Sequence, residues 1–173
     1  MYRRRLPGLL LLALLVAAGE TKSAPNPPPR TDEKAIPGPN PPLSADEKTI
    51  LDLTNKAREE KSLPPLTVNP LLTKAARAHS ANMAKQEKMD HVLDGKNPGD
   101  RVKEAGYKFS WAGENIAVGE NVTVRQVFDG WMNSEHHRDN ILKPEYREIG
   151  IGIAHNAKGE VYYTQVFGAP PKK

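Results

Sequence analysis

Apolar positions recur at helical spacing through the first half of the chain and at strand spacing near its end. Ser44 and Glu47 stand in capping-box register, and Ile50, Leu53 and Ala57 follow on one face of a helix. Leu63-Pro64-Pro65-Leu66 ends that helix, because proline lacks the N–H that would continue it. Asn69-Pro70 opens a second helix, an N-cap followed by proline at the first helical position, with a buried stripe of Leu72, Ala75, Ala76, His79 and Met83. A short helix over 98–105 stops at Gly106. A fourth starts at Thr123, with Gln126 in box register, runs through Val124, Val127, Phe128 and Trp131, and ends at His136 and His137. Ile149, Ile151 and Ile153 then alternate with Gly150, Gly152 and Ala154, which reads as a strand with small residues on one face. Asn156 to Gly159 is a hairpin loop, and the strand returning from it covers 161–167. Helices first and an antiparallel hairpin last make the class α+β, with helices packed on a sheet.

The start of the chain follows neither period. Arg3, Arg4 and Arg5 precede a short apolar run over 9–18, and Ala17, Ala18 and Gly19 offer small residues for cleavage. Residues 1–19 therefore read as a secretory signal peptide, the apolar run being shorter than the roughly 20 residues of a spanning helix. Residues 20–43 read as a Pro-rich linker, whose composition favours extended polyproline II over a core. The globular part is 44–173, and no later apolar run reaches spanning length. These features place the protein outside the cell or in a periplasm.

Charge and cysteine content narrow the function. The formal net charge of +4 lies mostly in the first 43 residues, since 44–173 carries 19 basic and 18 acidic side chains. That near balance gives no basic excess for phosphate neutralisation and argues against nucleic acid. The chain has no cysteine, so a disulfide framework and thiol chemistry are excluded, and any metal would be held by His, Asp or Glu.

The candidate chemistry lies in three runs. His79 falls on the apolar stripe of its helix, where a histidine serves either as a core residue or as a ligand. Glu114, in Gly113-Glu114-Asn115-Ile116-Ala117, enters a run bound for burial, so its charge needs a partner, a metal or backbone donors. His136 and His137 are adjacent and point apart, and at the end of a helix either would suit the dipole. Taken alone, His91 is a loop histidine before an Asp94-Gly95 turn. The His-Glu-x-x-His, Gly-x-Ser-x-Gly and Gly-rich phosphate motifs are absent.

In order along the chain stand Ala75-Ala76-Arg77-Ala78-His79, His91 with Asp94-Gly95, Asp100-Arg101, Ala105-Gly106-Tyr107 and Gly113-Glu114-Asn115-Ile116-Ala117. After these come Gly130-Trp131-Met132-Asn133-Ser134, His137-Arg138, Asn140-Ile141-Leu142, Glu148-Ile149-Gly150-Ile151-Gly152 and Tyr163-Thr164-Gln165-Val166-Phe167-Gly168. This ordered set resembles the CAP superfamily, also called the SCP-like or pathogenesis-related-1-like domain, in its secreted bacterial branch. The resemblance implies an α-β-α sandwich, helices packed on a central, mainly antiparallel sheet, with a cleft at its centre. In the eukaryotic branch two His and two Glu in that cleft bind a divalent metal. His79 matches the first His and Glu114 the first Glu. The second Glu falls at Ser134, or in slipped register at Glu135, and the second His at Tyr162. The bacterial branch carries a His-Arg pair matched by His137 and Arg138. The implied cleft is His79, Glu114 and His137, with His91 and Tyr162 beside them, and His79, Glu114 and His137 are the expected ligands of a divalent metal such as zinc.

Three functions remain open. One is an extracellular binding module for a cell-envelope, lipid or protein ligand. Another is a metal-assisted hydrolase in which His79 and His137 hold zinc and Glu114 activates water. The third is a structural domain whose polar cluster only ties helices to the sheet.

Overall fold

A computed structural model describes residues 42–172. The leader and nearly all of the Pro-rich segment lie outside the described residues. The elements run α1 (Ala45–Glu59), β1 (Thr67–Val68), α2 (Pro70–Gln86), α3 (Pro98–Glu104), β2 (Trp111–Glu120), α4 (Val124–Asn133), α5 (Glu135–Ile141), β3 (Glu148–His155) and β4 (Glu160–Ala169). The expected caps are present. Ser44 and Glu47 close a reciprocal box on α1, Asn69 caps α2, and Thr123 with Gln126 closes a box on α4.

The strands form one sheet in the order β1-β3-β4-β2. Only the short β1 runs parallel to its neighbour, and β3, β4 and β2 are antiparallel. The mainly antiparallel α+β sandwich expected from the sequence is therefore observed.

The alternation in β3 decides which helix packs where. Ile149 and Ile151 point to one face and join Ile50, Phe128, Trp131, Tyr163 and Phe167 in the larger core, beneath α1 and α4. Gly150 and Gly152 point to the other face, where α2 lies directly on the sheet. A Cβ at either glycine would collide with α2 backbone, at Leu72–Thr73 and at Ala76–Arg77. A second cluster of Leu72, Ala75, Ala76, Val102, Tyr107 and Val166 and a third around Met83 and Tyr162 pack on that face.

One expectation is corrected. The fourth helix does not run on to His136 and His137. It stops at Asn133, because Ser134 adopts an extended backbone (φ −98°, ψ 123°), and α5 starts at Glu135. Arg138 then donates from Nη1 to the Met132 carbonyl at 3.1 Å, satisfying an acceptor that the break leaves open. Both histidines thus sit in the first turn of a new helix, where the dipole does not favour a cation.

Candidate functional site

The site is assembled from α2, the loop after it, α3 and the outer strand β2. His79 projects from α2 toward the sheet and is 1% exposed. Glu114 stands on β2 opposite Val166, so the pleat turns it to the α2 side, where it is 6% exposed. Its oxygens are fully engaged. Arg101, from α3, donates from Nη2 to Oε1 at 2.9 Å and to Oε2 at 2.7 Å. His91 brings Nδ1 to 2.8 Å from Oε1. His79 Nε2 lies 3.7 Å from the same Oε1, too far for a hydrogen bond.

His79 is thus the unsatisfied member. Among the described residues neither of its ring nitrogens has a hydrogen-bond partner. The Asp90 carbonyl is near enough to favour a protonated ring slightly, without the geometry of a bond. Burial is the largest influence on the imidazole and holds its pKa below the ordinary 6.5. Glu114 opposes that shift, and the positive charges of Arg101 and His91 add to it.

His137 lies on α5 and lines a groove next to this cluster. A buried polar chain fixes its backbone: Asn115 Nδ2 donates to the His137 carbonyl at 3.0 Å and to Gln165 Oε1 at 3.1 Å, and Gln165 donates to Thr54 Oγ1 at 2.8 Å. Asn140 Nδ2 ties α5 to the same strand through Asn115 Oδ1 at 2.9 Å and the Glu114 carbonyl at 3.2 Å. Burial, followed by the like charges of His91 and His136, lowers the pKa of His137. The His137 ring lines a groove of about 380 Å³ beside β2, together with Met89, Ile116, Val118, Val127 and Trp131. Tyr162 is buried against Met83, Ala84, Leu93 and Ile116, and its hydroxyl donates to Glu160 Oε2 at 3.1 Å.

The structure therefore brings His79, Glu114 and His91 together, places His137 on the neighbouring groove and turns the Tyr162 hydroxyl to Glu160. Arg101 was not singled out from the sequence as a site residue. A partial signal was present, since a buried carboxylate requires a cation and Arg101 is one of the basic residues, with Lys103 and Lys108, ahead of the strand. A divalent ion does not fit this donor set. Arg101 holds both Glu114 oxygens, so a guanidinium stands where the cation would. Among the described residues no group of three or more His, Asp or Glu is arranged to hold a metal.

The chain matches the model of the CAP family, described as the cysteine-rich secretory protein family, over residues 51–167. It is 38% identical over 120 residues to YkwD of Bacillus subtilis (strain 168), covering 69% of this chain and 46% of that protein. The chain spans less than half the length of that curated relative. Among solved structures it resembles an extracellular SCP-domain protein of Bacillus anthracis (29% identity, TM-score 0.66, covering 75% of this chain and 45% of that one). It also shares its fold with an outer surface protein of Borrelia burgdorferi (21% identity, TM-score 0.69, covering 73% of this chain and 93% of that one). Although it has no cysteine, this chain belongs to the CAP, or cysteine-rich secretory protein, family.

Proposed function

We propose that the protein is an extracellular binding module that takes up an amphiphilic small molecule, its apolar chain in the groove beside β2 and its polar end at His137. One observation carries this reading: the groove is lined mainly by apolar side chains, with a few polar ones, His137 among them. Ile116, Val118, Val122, Val127 and Trp131 supply apolar walls, and Gln126, Ser134 and His137 are the polar side chains of the lining. At about 380 Å³ it falls within the roughly 300–1,000 Å³ typical of small-ligand pockets. The similarity to extracellular and outer-surface proteins, together with the leader read from the sequence, supports a location outside the cell. No helix among the described residues is long and apolar enough to cross a membrane. The binding reading is also favoured because Glu114, bonded to Arg101 and His91, is not free to activate water on a metal.

Gly130 lines the groove, and a Cβ there would meet nothing within 4 Å, so Gly130→Leu fills the space without a clash at Cβ. Calorimetric titration with decanoate should show saturable binding. The variant should bind at least about tenfold more weakly, the ~1.4 kcal/mol of a few lost methylene contacts. Equal affinity in both proteins, or no binding by the wild type, removes the groove as the ligand site.

A further inference from the structure

The loop after α2 is built to hold one imidazole. Asp90 Oδ1 accepts the Val92 N–H at 3.0 Å, and Asp94-Gly95 turns the chain with both residues at positive φ. Arg101 donates from Nη2 to the His91 carbonyl at 3.0 Å and from Nη1 to the Lys96 carbonyl at 2.8 Å. The same guanidinium that fixes Glu114 therefore also fixes the backbone that carries His91.

The ring follows from this frame. Glu114 accepts hydrogen bonds, and its Oε1 lies 2.8 Å from His91 Nδ1. The neutral ring must carry its hydrogen on Nδ1 to make that bond, which leaves the Nε2 lone pair free. Among the described residues Nε2 has no hydrogen-bond partner, and the His91 side chain is 48% exposed against 1% for Glu114. A buried carboxylate that orients an imidazole through Nδ1 and presents Nε2 outward is the arrangement by which histidine acts as a general base.

The geometry points to His91, held by Glu114 and Arg101, as a metal-free general base that hydrolyses an ester bound with its acyl chain in the groove beside β2. The choice of ester rests on the amphiphile reading above, and the assignment of the base does not. Met89, two residues before His91, lines the groove together with His137, so an acyl chain lying along the walls runs beside the loop that carries His91. In the step, Nε2 takes a proton from water as the water oxygen bonds to the ester carbonyl carbon. Collapse breaks the carbon–oxygen bond to the alcohol, and the departing oxygen takes the proton back from Nε2. An acid and an alcohol leave, and the ring returns to its starting state with water as the only co-reactant. Glu114 touches the ring alone and is a positioning residue, and Arg101 positions Glu114.

Two measurements on the full-length protein test this. Long-range ¹⁵N–¹H spectra should show neutral His91 as the Nδ1–H tautomer, reverting to Nε2–H in Glu114→Gln. Hydrolysis of p-nitrophenyl octanoate should fall about 10²-fold in His91→Ala, the scale of a general base, and be unchanged in His155→Ala, remote on the β3–β4 hairpin. An Nε2–H tautomer in the wild type, or equal turnover in His91→Ala and wild type, overturns the assignment. If octanoate and acetate esters react alike and both reactions are lost in His91→Ala, the base stands and the groove reading fails.

Discussion

Arg101 Nη2 lies within 2.9 Å of both carboxylate oxygens of Glu114, and the two side chains are 11% and 1% exposed. The pair joins α3 to β2 inside the fold. Removing one partner strands the other charge, which costs far more than the net worth of the pair. Arg101→Met should lower the unfolding free energy by about 3–5 kcal/mol in urea titrations. Adding Glu114→Gln to that variant should recover part of the loss, because no buried charge is then left over. Strictly additive losses in the double variant would mean the two residues act independently.

The same pair predicts the response to zinc. The wild type should give no stoichiometric heat on calorimetric titration with zinc, and a chelator should leave its urea midpoint unchanged. Arg101→Ala frees a carboxylate beside two imidazoles, His79 and His91, a donor set of the kind zinc accepts. That variant should gain binding, and the gain should vanish when His79→Ala is added. Wild-type binding that depends on His79 would show that the guanidinium yields to the ion, contrary to the fit described above.

Much of the frame was legible because its signals are local. Caps at Ser44, Asn69 and Thr123 and the Ile-Gly alternation of β3 each fix an element through neighbours within four residues. The break at Ser134 was not legible, since Trp131 to Arg138 contains neither Gly nor Pro and the turn is fixed by the Arg138–Met132 contact. Arg58 shows the same limit. It is fully buried and donates to the carbonyls of Pro64, Ile141, Lys143 and Tyr146, up to 88 positions away, partners that no local pattern names. At the site, His79 and Glu114 were visible as polar residues in apolar runs. The residue pattern alone made His91 a loop histidine; the family resemblance set it beside the cleft, and the fold carries its loop over Glu114, with Nδ1 2.8 Å from Oε1.

Gly152 tests the packing that positions His79. Its missing Cβ allows the α2 backbone at Ala76–Arg77 to rest on β3, one turn before His79. Backbone cannot move aside as a side chain can, so Gly152→Ala must lift the helix. It should cost at least the ~1–3 kcal/mol of core overpacking, read as a lower urea midpoint. It should also shift the His79 ring resonances, because the ring rides on the displaced helix. Gly130→Ala, in open space on α4, should do neither.

The buried His79 ring sets a pH dependence with a definite sign. Burial is the main cause of its lowered pKa, Arg101 and His91 act in the same direction, and Glu114 opposes them. The unfolded chain takes up a proton near the ordinary 6.5, and the folded protein does so only at lower pH. Between those values the unfolded state binds more protons, so stability rises with pH. The protonation of His79 therefore has no effect on stability above about pH 7 and destabilises as pH falls through about 6.5 toward the folded value, by at most ~1.4 kcal/mol per unit for one proton. His137 is shifted the same way, so the wild-type slope alone does not isolate His79. The informative quantity is the difference between wild type and His79→Gln in urea midpoints measured at about pH 7.5 and about pH 5.5, on either side of the ordinary histidine range. The variant should lose less stability over that range, because a neutral amide takes up no proton. An identical loss in both proteins would mean that folding does not hold the His79 ring neutral.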